Sequence, residues 1–164
     1  RMIGHITRIS ELAWREYGVR PVVHPHAGGC IEFADEIDRL AADIPHHTAG
    51  LCLDTGHLYY AGLDPAAWLS KHFERLDYLH FKDVDPQVFR EVLARGVDFF
   101  TACAEGVMCP LGSGAIDYPQ LRALLAERGY RGWITIEQER DPRNVQGSLQ
   151  DVTASLRYLR GLGF

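Results

Sequence analysis

The sequence predicts an α/β fold made of parallel (β/α) repeats, about four of them, preceded by a helix. Three observations carry this. Short apolar runs alternate with stretches of helical periodicity, the connections between them are short, and each apolar run ends in polar, titratable residues. Strand–helix alternation calls for parallel strands joined by crossovers. Strands apolar along their whole length suit a sheet covered on both faces. Polar residues gathered at C-terminal strand ends lie where parallel α/β folds place their active sites.

In chain order, residues 3–17 read as a helix with Ile6, Ile9, Leu12 and Ala13 on one face and Gly18 as its stop. The first apolar run, 21–23, leads into His24-Pro25-His26-Ala27-Gly28-Gly29. A helix is expected over 32–42, with Ile37 and Leu40 inward. The second run, 50–53, ends in Asp54-Thr55-Gly56-His57, and the next helix is expected over 65–73, where Pro65 suits a first turn. The third run, 78–81, ends in Lys82-Asp83. A longer excursion follows, helical near 88–94 and 99–104, and closes on Pro110-Leu111-Gly112-Ser113-Gly114-Ala115-Ile116-Asp117. A helix over 118–128 stops at Gly129, the fourth run covers 132–136 and ends in Glu137-Gln138-Glu139, and a last helix spans 146–160. No linker or low-complexity segment interrupts the pattern, so residues 1–164 form one domain.

Composition narrows the function. With 46% hydrophobic residues the chain can bury a core, which excludes a disordered segment. A net charge of −5 argues against nucleic acid or an anionic membrane as partner. No apolar stretch approaches the roughly 20 residues that span a bilayer. Met2-Ile3-Gly4-His5 leads into a polar helical pattern rather than a secretory signal, and the four cysteines form no Cys-x-x-Cys pair, so a reduced cytoplasmic compartment is expected.

The four strand ends carry His24 and His26, Asp54 and His57, His80 and Lys82, and Glu137 and Glu139. Neutral imidazoles and carboxylates are the ligand set of divalent metals such as Mn²⁺, Co²⁺, Zn²⁺ or Mg²⁺. Each residue also has a plainer reading. Asp54 is too far upstream to cap the helix expected from Pro65. His80 taken singly would pass for a satisfied core histidine. Glu137 ends an apolar strand, where an unpaired carboxylate is costly to bury. Four successive strand ends offering such a group outweigh those readings. Glu139 lies further out, where a surface ion pair is the simpler expectation. His5, His46, His47 and His72 are expected to be solvated, Cys52 to act as a small hydrophobe, and Cys30, Cys103 and Cys109 to be bystanders.

Leu51-Cys52-Leu53-Asp54-Thr55-Gly56-His57 resembles the Asp-Thr-x-His strand end of the xylose-isomerase-like TIM-barrel superfamily. Leu79-His80-Phe81-Lys82-Asp83, the Gly112-Ser113-Gly114 loop and Gly132-Trp133-Ile134-Thr135-Ile136-Glu137 are similar to its later motifs, so the likeness runs through essentially the whole chain. Within it, His24-Pro25-His26-Ala27-Gly28 and the segment from Trp133 through Glu139-Arg140-Asp141-Pro142 look like the inosose dehydratases. The resemblance implies half of a (β/α)₈ barrel, the C-terminal half, since a complete one takes about 250 residues. It also implies a hydro-lyase of inositol catabolism that dehydrates 2-keto-myo-inositol to a trihydroxycyclohexanedione. Asp54, His80 and Glu137 would hold a divalent metal, Mn²⁺ or Co²⁺ before Zn²⁺ or Mg²⁺, with His24, His26 or Glu32 as a fourth ligand and His24 as first choice. His57 and Lys82 would be catalytic, His26 and Glu139 would contact substrate, and glutathione is a further cofactor that the family admits. The alternatives are a keto-sugar isomerase or epimerase on the same scaffold, or a non-catalytic half-barrel. An open four-stranded half exposes two edges, so self-association or pairing with a complementing N-terminal half is expected.

Overall fold

The computed structural model describes residues 1–141, residue 143 and residues 145–164; Pro142, the end of the last motif quoted above, lies outside them. The elements in order are α1 (Met2–Tyr17), β1 (Val22–Val23), α2 (Ala34–Asp43), β2 (Gly50–Asp54), α3 (Thr55–Tyr60), α4 (Pro65–Lys71), β3 (Leu76–Phe81), β4 (Asp83–Val84), α5 (Pro86–Arg95), α6 (Phe99–Ala104), β5 (Met108–Cys109), α7 (Tyr118–Glu127), β6 (Trp133–Ile136) and α8 (Ser148–Gly161). Local chemistry sets their ends. Gly18 stops α1 in the left-handed conformation (φ 63°), where its amide and that of Val19 close on the carbonyls of Trp14 and Ala13. Asp64, Asp85, Asp98 and Asp117 each turn a carboxylate onto the free amides of the helix that follows.

Among the described residues the main sheet has four strands in the order β1-β2-β3-β6, all parallel. This is the expected parallel α/β arrangement, an unclosed part of a barrel. β2, in the middle, is buried along its whole length, and β6 is only half-buried. The register sets Asp54 beside His80. The amide of Glu137 donates to Phe81 O at 3.0 Å, so the β3–β6 ladder runs one residue past the strand. The main core gathers Leu51, Leu53, Leu79 and Phe81 from the sheet with Ile37 and Leu40 from α2 and Tyr118, Leu121 and Leu125 from α7.

Three features differ from the sequence reading. Residues 54–57 do not stay a strand-end loop, because α3 begins there; at six residues it is too short to show a helical period. The excursion contains an antiparallel pair, β4 with β5, and forms a second core from Val84, Val92, Phe99, Ala102, Val107 and Met108. Finally, α1 does not bury the predicted face. Ile3 and Ile6 pack on the core, whereas Ile9 and Leu12 are 68% and 48% exposed, because the helix makes few contacts with the other described elements.

Candidate metal and proton-transfer site

His24 follows β1, Asp54 ends β2, His80 is the last residue but one of β3, and Glu137 follows β6. Parallel pairing therefore brings all four to one end of the sheet. Local bonds then aim them. His24 Nδ1 lies 3.1 Å from Cys52 O, which leaves Nε2 free to point inward. Asp54 Oδ1 accepts from His57 N at 2.9 Å and so caps α3, leaving Oδ2 over. Six buried side-chain atoms among the described residues lack a hydrogen-bond partner, and four of them are His24 Nε2, Asp54 Oδ2, His80 Nδ1 and Glu137 Oε2. One ligand atom from each of these four residues lies within 4.8 Å of all the others. His80 Nδ1 approaches Glu137 Oε2 to 2.6 Å without the alignment of a hydrogen bond, as two groups do when both face a third point.

An orphaned buried polar atom costs about 1–3 kcal/mol, so four in one place are costly unless something joins them. Two imidazole nitrogens and two carboxylate oxygens at this spacing fit a divalent transition-metal ion better than Ca²⁺ or Mg²⁺, which take oxygen alone. The charges agree. Burial pulls His24 down to about 4, so the ring is neutral and its lone pair available. Burial pushes Asp54 up to about 6, the mark of a carboxylate without sufficient counter-charge, while the His80 imidazole beside Glu137 holds that carboxyl at about 2. Cys52, which also faces His24 and His80, is pushed up to about 12 by burial and remains a thiol.

Lys82 stands against this quartet, fully buried. Its Nζ lies 2.7 Å from His57 Nε2, 2.8 Å from Glu139 Oε2, 3.5 Å from Glu137 Oε1 and 3.6 Å from Asp54 Oδ2. Burial alone would lower its pKa, but Asp54, Glu139 and Glu137 together outweigh that and raise it, so the side chain is an ammonium. Burial, then the Lys82 charge, drive His57 far below the usual histidine range; its imidazole is neutral and accepts from Lys82. His26 lies against His57 with ring centroids 3.7 Å apart and the planes tilted by 37°, and the Glu139 carboxylate, 3.4 Å from its Nε2, raises its pKa. Phe99 from the excursion covers both rings at 5.5 and 5.4 Å.

The structure thus brings together His24, Asp54, His80 and Glu137, and beside them Lys82, His57, Glu139 and His26. Of the three candidates for the fourth position, His24 joins the quartet, His26 belongs to the Lys82 side, and Glu32 instead accepts from Gly28 N at 2.9 Å. Glu139 is not in a surface ion pair: strand β6 carries it inward onto Lys82. Nor is His72 solvated. It is 8% exposed, stacked on Trp68 and 3.1 Å from Asp38. His46 is half-buried against Asp77 at 2.9 Å, while His5 and His47 are exposed. The four cysteines are free.

Sequence reasoning gave no role to Asp83, whose carboxylate accepts from the amides of Gly112, Gly114 and Ile116 and so ties the Gly-x-Gly loop to the site. A side chain at Gly114 would meet Asp83 Oδ1 at 2.3 Å, which is why that position is glycine. The pairing of an isolated Asp with a distant Gly-x-Gly was the available signal.

Residues 1–162 match the model of the xylose isomerase-like TIM barrel family. Inosose dehydratase of Geobacillus kaustophilus is 41% identical over 128 residues, covering 78% of this chain and 42% of that protein. Inosose dehydratase of Geobacillus thermodenitrificans is 36% identical over 159 residues, 97% of this chain and 53% of that protein. The chain therefore spans about half the length of the curated relatives it matches. The IOLI protein, crystallised with a bound zinc atom, superposes with a TM-score of 0.70 at 17% identity over 98% of this chain and 54% of its own. Among the described residues no helix is long and apolar enough to cross a membrane.

Proposed function

The chain belongs to the xylose isomerase-like TIM-barrel family, and from that premise we propose that it is the C-terminal, site-bearing half of a metal-dependent dehydratase of 2-keto-myo-inositol. The observation that carries this reading is the convergence of four partnerless ligand atoms, from His24, Asp54, His80 and Glu137, beside a buried ammonium. Those four residues would hold the ion, Mn²⁺ or Co²⁺ first and Zn²⁺ as the alternative, the two imidazoles counting against Mg²⁺. A divalent ion supplies a Lewis acid that polarises a carbonyl oxygen.

The remaining work belongs to side chains. Loss of water from an α,β-dihydroxy ketone breaks a C–H bond next to the carbonyl and the C–O bond one carbon further on. The first step needs a group that can take a proton, and neutral His57 can do so as Lys82 gives up the charge that, with burial, keeps the ring unprotonated. The second needs a proton for the departing hydroxyl, and Lys82 holds one at Nζ, 2.7 Å from His57 Nε2. The C–H proton and the hydroxyl leave together as water, and the enol left behind becomes the diketone by moving its proton to carbon. His26 and Glu139, paired at 3.4 Å, offer a donor and an acceptor to the ring hydroxyls of a small polyol.

The partner is proposed from the surface. Ile9, Leu12 and Trp14 in α1 and Val19 just before β1 are exposed, as are Trp133 in β6 and Leu149 and Leu156 in α8, which packs beside β6. Apolar groups flanking two unpaired parallel edges suit further strands of a barrel, from a complementing N-terminal half or a second copy.

The test is to supply the full-length protein with Mn²⁺ or Co²⁺ and 2-keto-myo-inositol in deuterated water. Diketone formation is expected, abolished by the Asp54→Ala, His80→Ala, Glu137→Ala triple variant. Deuterium in epimerised substrate with no diketone would instead point to the epimerase reading.

A further inference from the structure

Lys82 sits between β3 and β4 and lacks a regular place in either. Two hydroxyls hold its backbone instead. Thr55 Oγ1 donates to Lys82 O at 2.8 Å and accepts from Lys82 N at 3.0 Å. Tyr118 Oη donates to the same carbonyl at 3.1 Å and lies 3.2 Å from Thr55 Oγ1. Thr55 is the first residue of α3 and Tyr118 the first of α7, and both are fully buried. Burying two hydroxyls costs more than burying a Val and a Phe of the same shape, unless their bonds do something packing cannot. Fixing both the N–H and the C=O of a residue fixes its Cα–Cβ direction. The stem of Lys82 then lies over Gly56, where a side chain would stand 2.7–3.0 Å from its Cβ, Cγ and Cδ. Backbone clamp and bare glycine together place Nζ between His57 and Glu139.

We propose that Thr55 and Tyr118 are positioning residues that set where the Lys82 ammonium stands, and that they act on the reaction through Lys82 alone. This rests on the reading above in which Lys82 handles the proton. Misplacement of a reacting group by about 1 Å can cost on the order of 100-fold in rate. Thr55→Val and Tyr118→Phe, which delete one oxygen each, should therefore lower kcat by roughly 10-fold to 100-fold with KM little changed.

Two measurements on the full-length protein test this. The first compares both substitutions in the native and Lys82→Met backgrounds, where the second background should show no further loss. The second needs no turnover. The stretch contains two lysines, and Lys71, whose side chain is 49% exposed, serves as reference for the buried Lys82. Brief treatment with a small acylating reagent, read by peptide mass, should give a Lys82-to-Lys71 labelling ratio that rises several-fold in either variant and returns to the native value in Thr55→Ser. An unchanged ratio in both variants, or a Thr55→Ser ratio as high as that of Thr55→Val, overturns the proposal. Equal rate losses in the two backgrounds also overturn it. A fully active Lys82→Met protein would refute the proton-handling reading, while the labelling ratio still decides the positioning.

Discussion

The two ends of the sheet use the same kinds of residue to opposite effect, and β3 reaches both, with Asp77 near its start and His80 near its finish. At the N-terminal end, Asp77 Oδ2 accepts from Arg20 Nε at 2.8 Å and Oδ1 faces His46 Nε2 at 2.9 Å. Arg20 also reaches His47 O at 3.2 Å, and Arg75 fans onto the carbonyls of Ala41, Ile44 and Ala49, with only its Nε left over. Gly50 makes room, since a side chain there would stand 2.0 Å from Asp77 Oδ2. At the C-terminal end, the histidines and carboxylates of the quartet do not bond to one another; four atoms are left facing one point. A polar network that closes on itself is structure, and one that stays open is a site.

The contrast can be broken most forcefully by exchanging what each end is for. Removing one ligand at the open end, as in Glu137→Ala or His80→Ala, should weaken divalent-metal binding by at least about 100-fold, because groups one layer further out already account for about 10-fold to 100-fold. Calorimetric titration with Mn²⁺ or Zn²⁺ checks this, and native affinity in either variant would remove the quartet from consideration. At the closed end, Asp77→Ala strips Arg20 and His46 of their carboxylate and should cost about 2 kcal/mol of stability, the scale of hydrogen bonds to charged groups. Gly50→Ala should cost about 1–3 kcal/mol by overpacking. Denaturant unfolding measures both, and neither should move metal affinity by more than about 2-fold, since additivity holds for distant sites.

A subtler change sharpens the comparison. Asp54→Asn keeps an oxygen to cap α3, because Asn caps about as well as Asp, yet removes a carboxylate that burial has raised to about 6. Its folded-state pKa lies above the unfolded value of 3.8, so above about pH 6 the ionised group opposes folding. Without metal at pH 7.5, Asp54→Asn should be as stable as the native protein or more so, by up to about 1 kcal/mol. Under the same conditions Asp77→Ala loses stability. A clear loss in Asp54→Asn would mean the open end is held together by charge after all.

How much of this was legible beforehand depended on what each feature needs. The strands and most helices follow from apolar runs and helical period, which are local. The quartet was legible because parallel pairing sends every strand end to one place, so His24, Asp54, His80 and Glu137 needed only their positions relative to their strands. Features that join distant segments were not legible. Glu139 reads as a surface group until β6 turns it onto Lys82. Tyr118 reads as an ordinary residue at a helix start until α7 brings its hydroxyl to the Lys82 carbonyl. The same limit hid the closed network, where Asp77 and Arg20 stand 57 residues apart.

His72 tests the principle on the helix layer and should give the smallest effect. It was expected in water and instead lies buried against Trp68, with Nε2 3.1 Å from Asp38 Oδ1. Burial lowers its pKa, and the Asp38 carboxylate, itself also bound by Lys71, recovers only part of that. A histidine whose folded pKa is depressed contributes stability above its unfolded value of 6.5, and that contribution is lost as pH falls through the folded value. The unfolded chain then binds the proton more readily, so unfolding free energy should decline from pH 7.5 toward pH 5. His72→Gln keeps a hydrogen-bonding group but cannot titrate, and should flatten that decline slightly while leaving metal affinity unchanged. Unfolding midpoints at matched pH values decide it. Parallel declines in the two proteins would show that Asp38 satisfies the protonated ring fully, and would place His72 with the closed network at the base of the sheet.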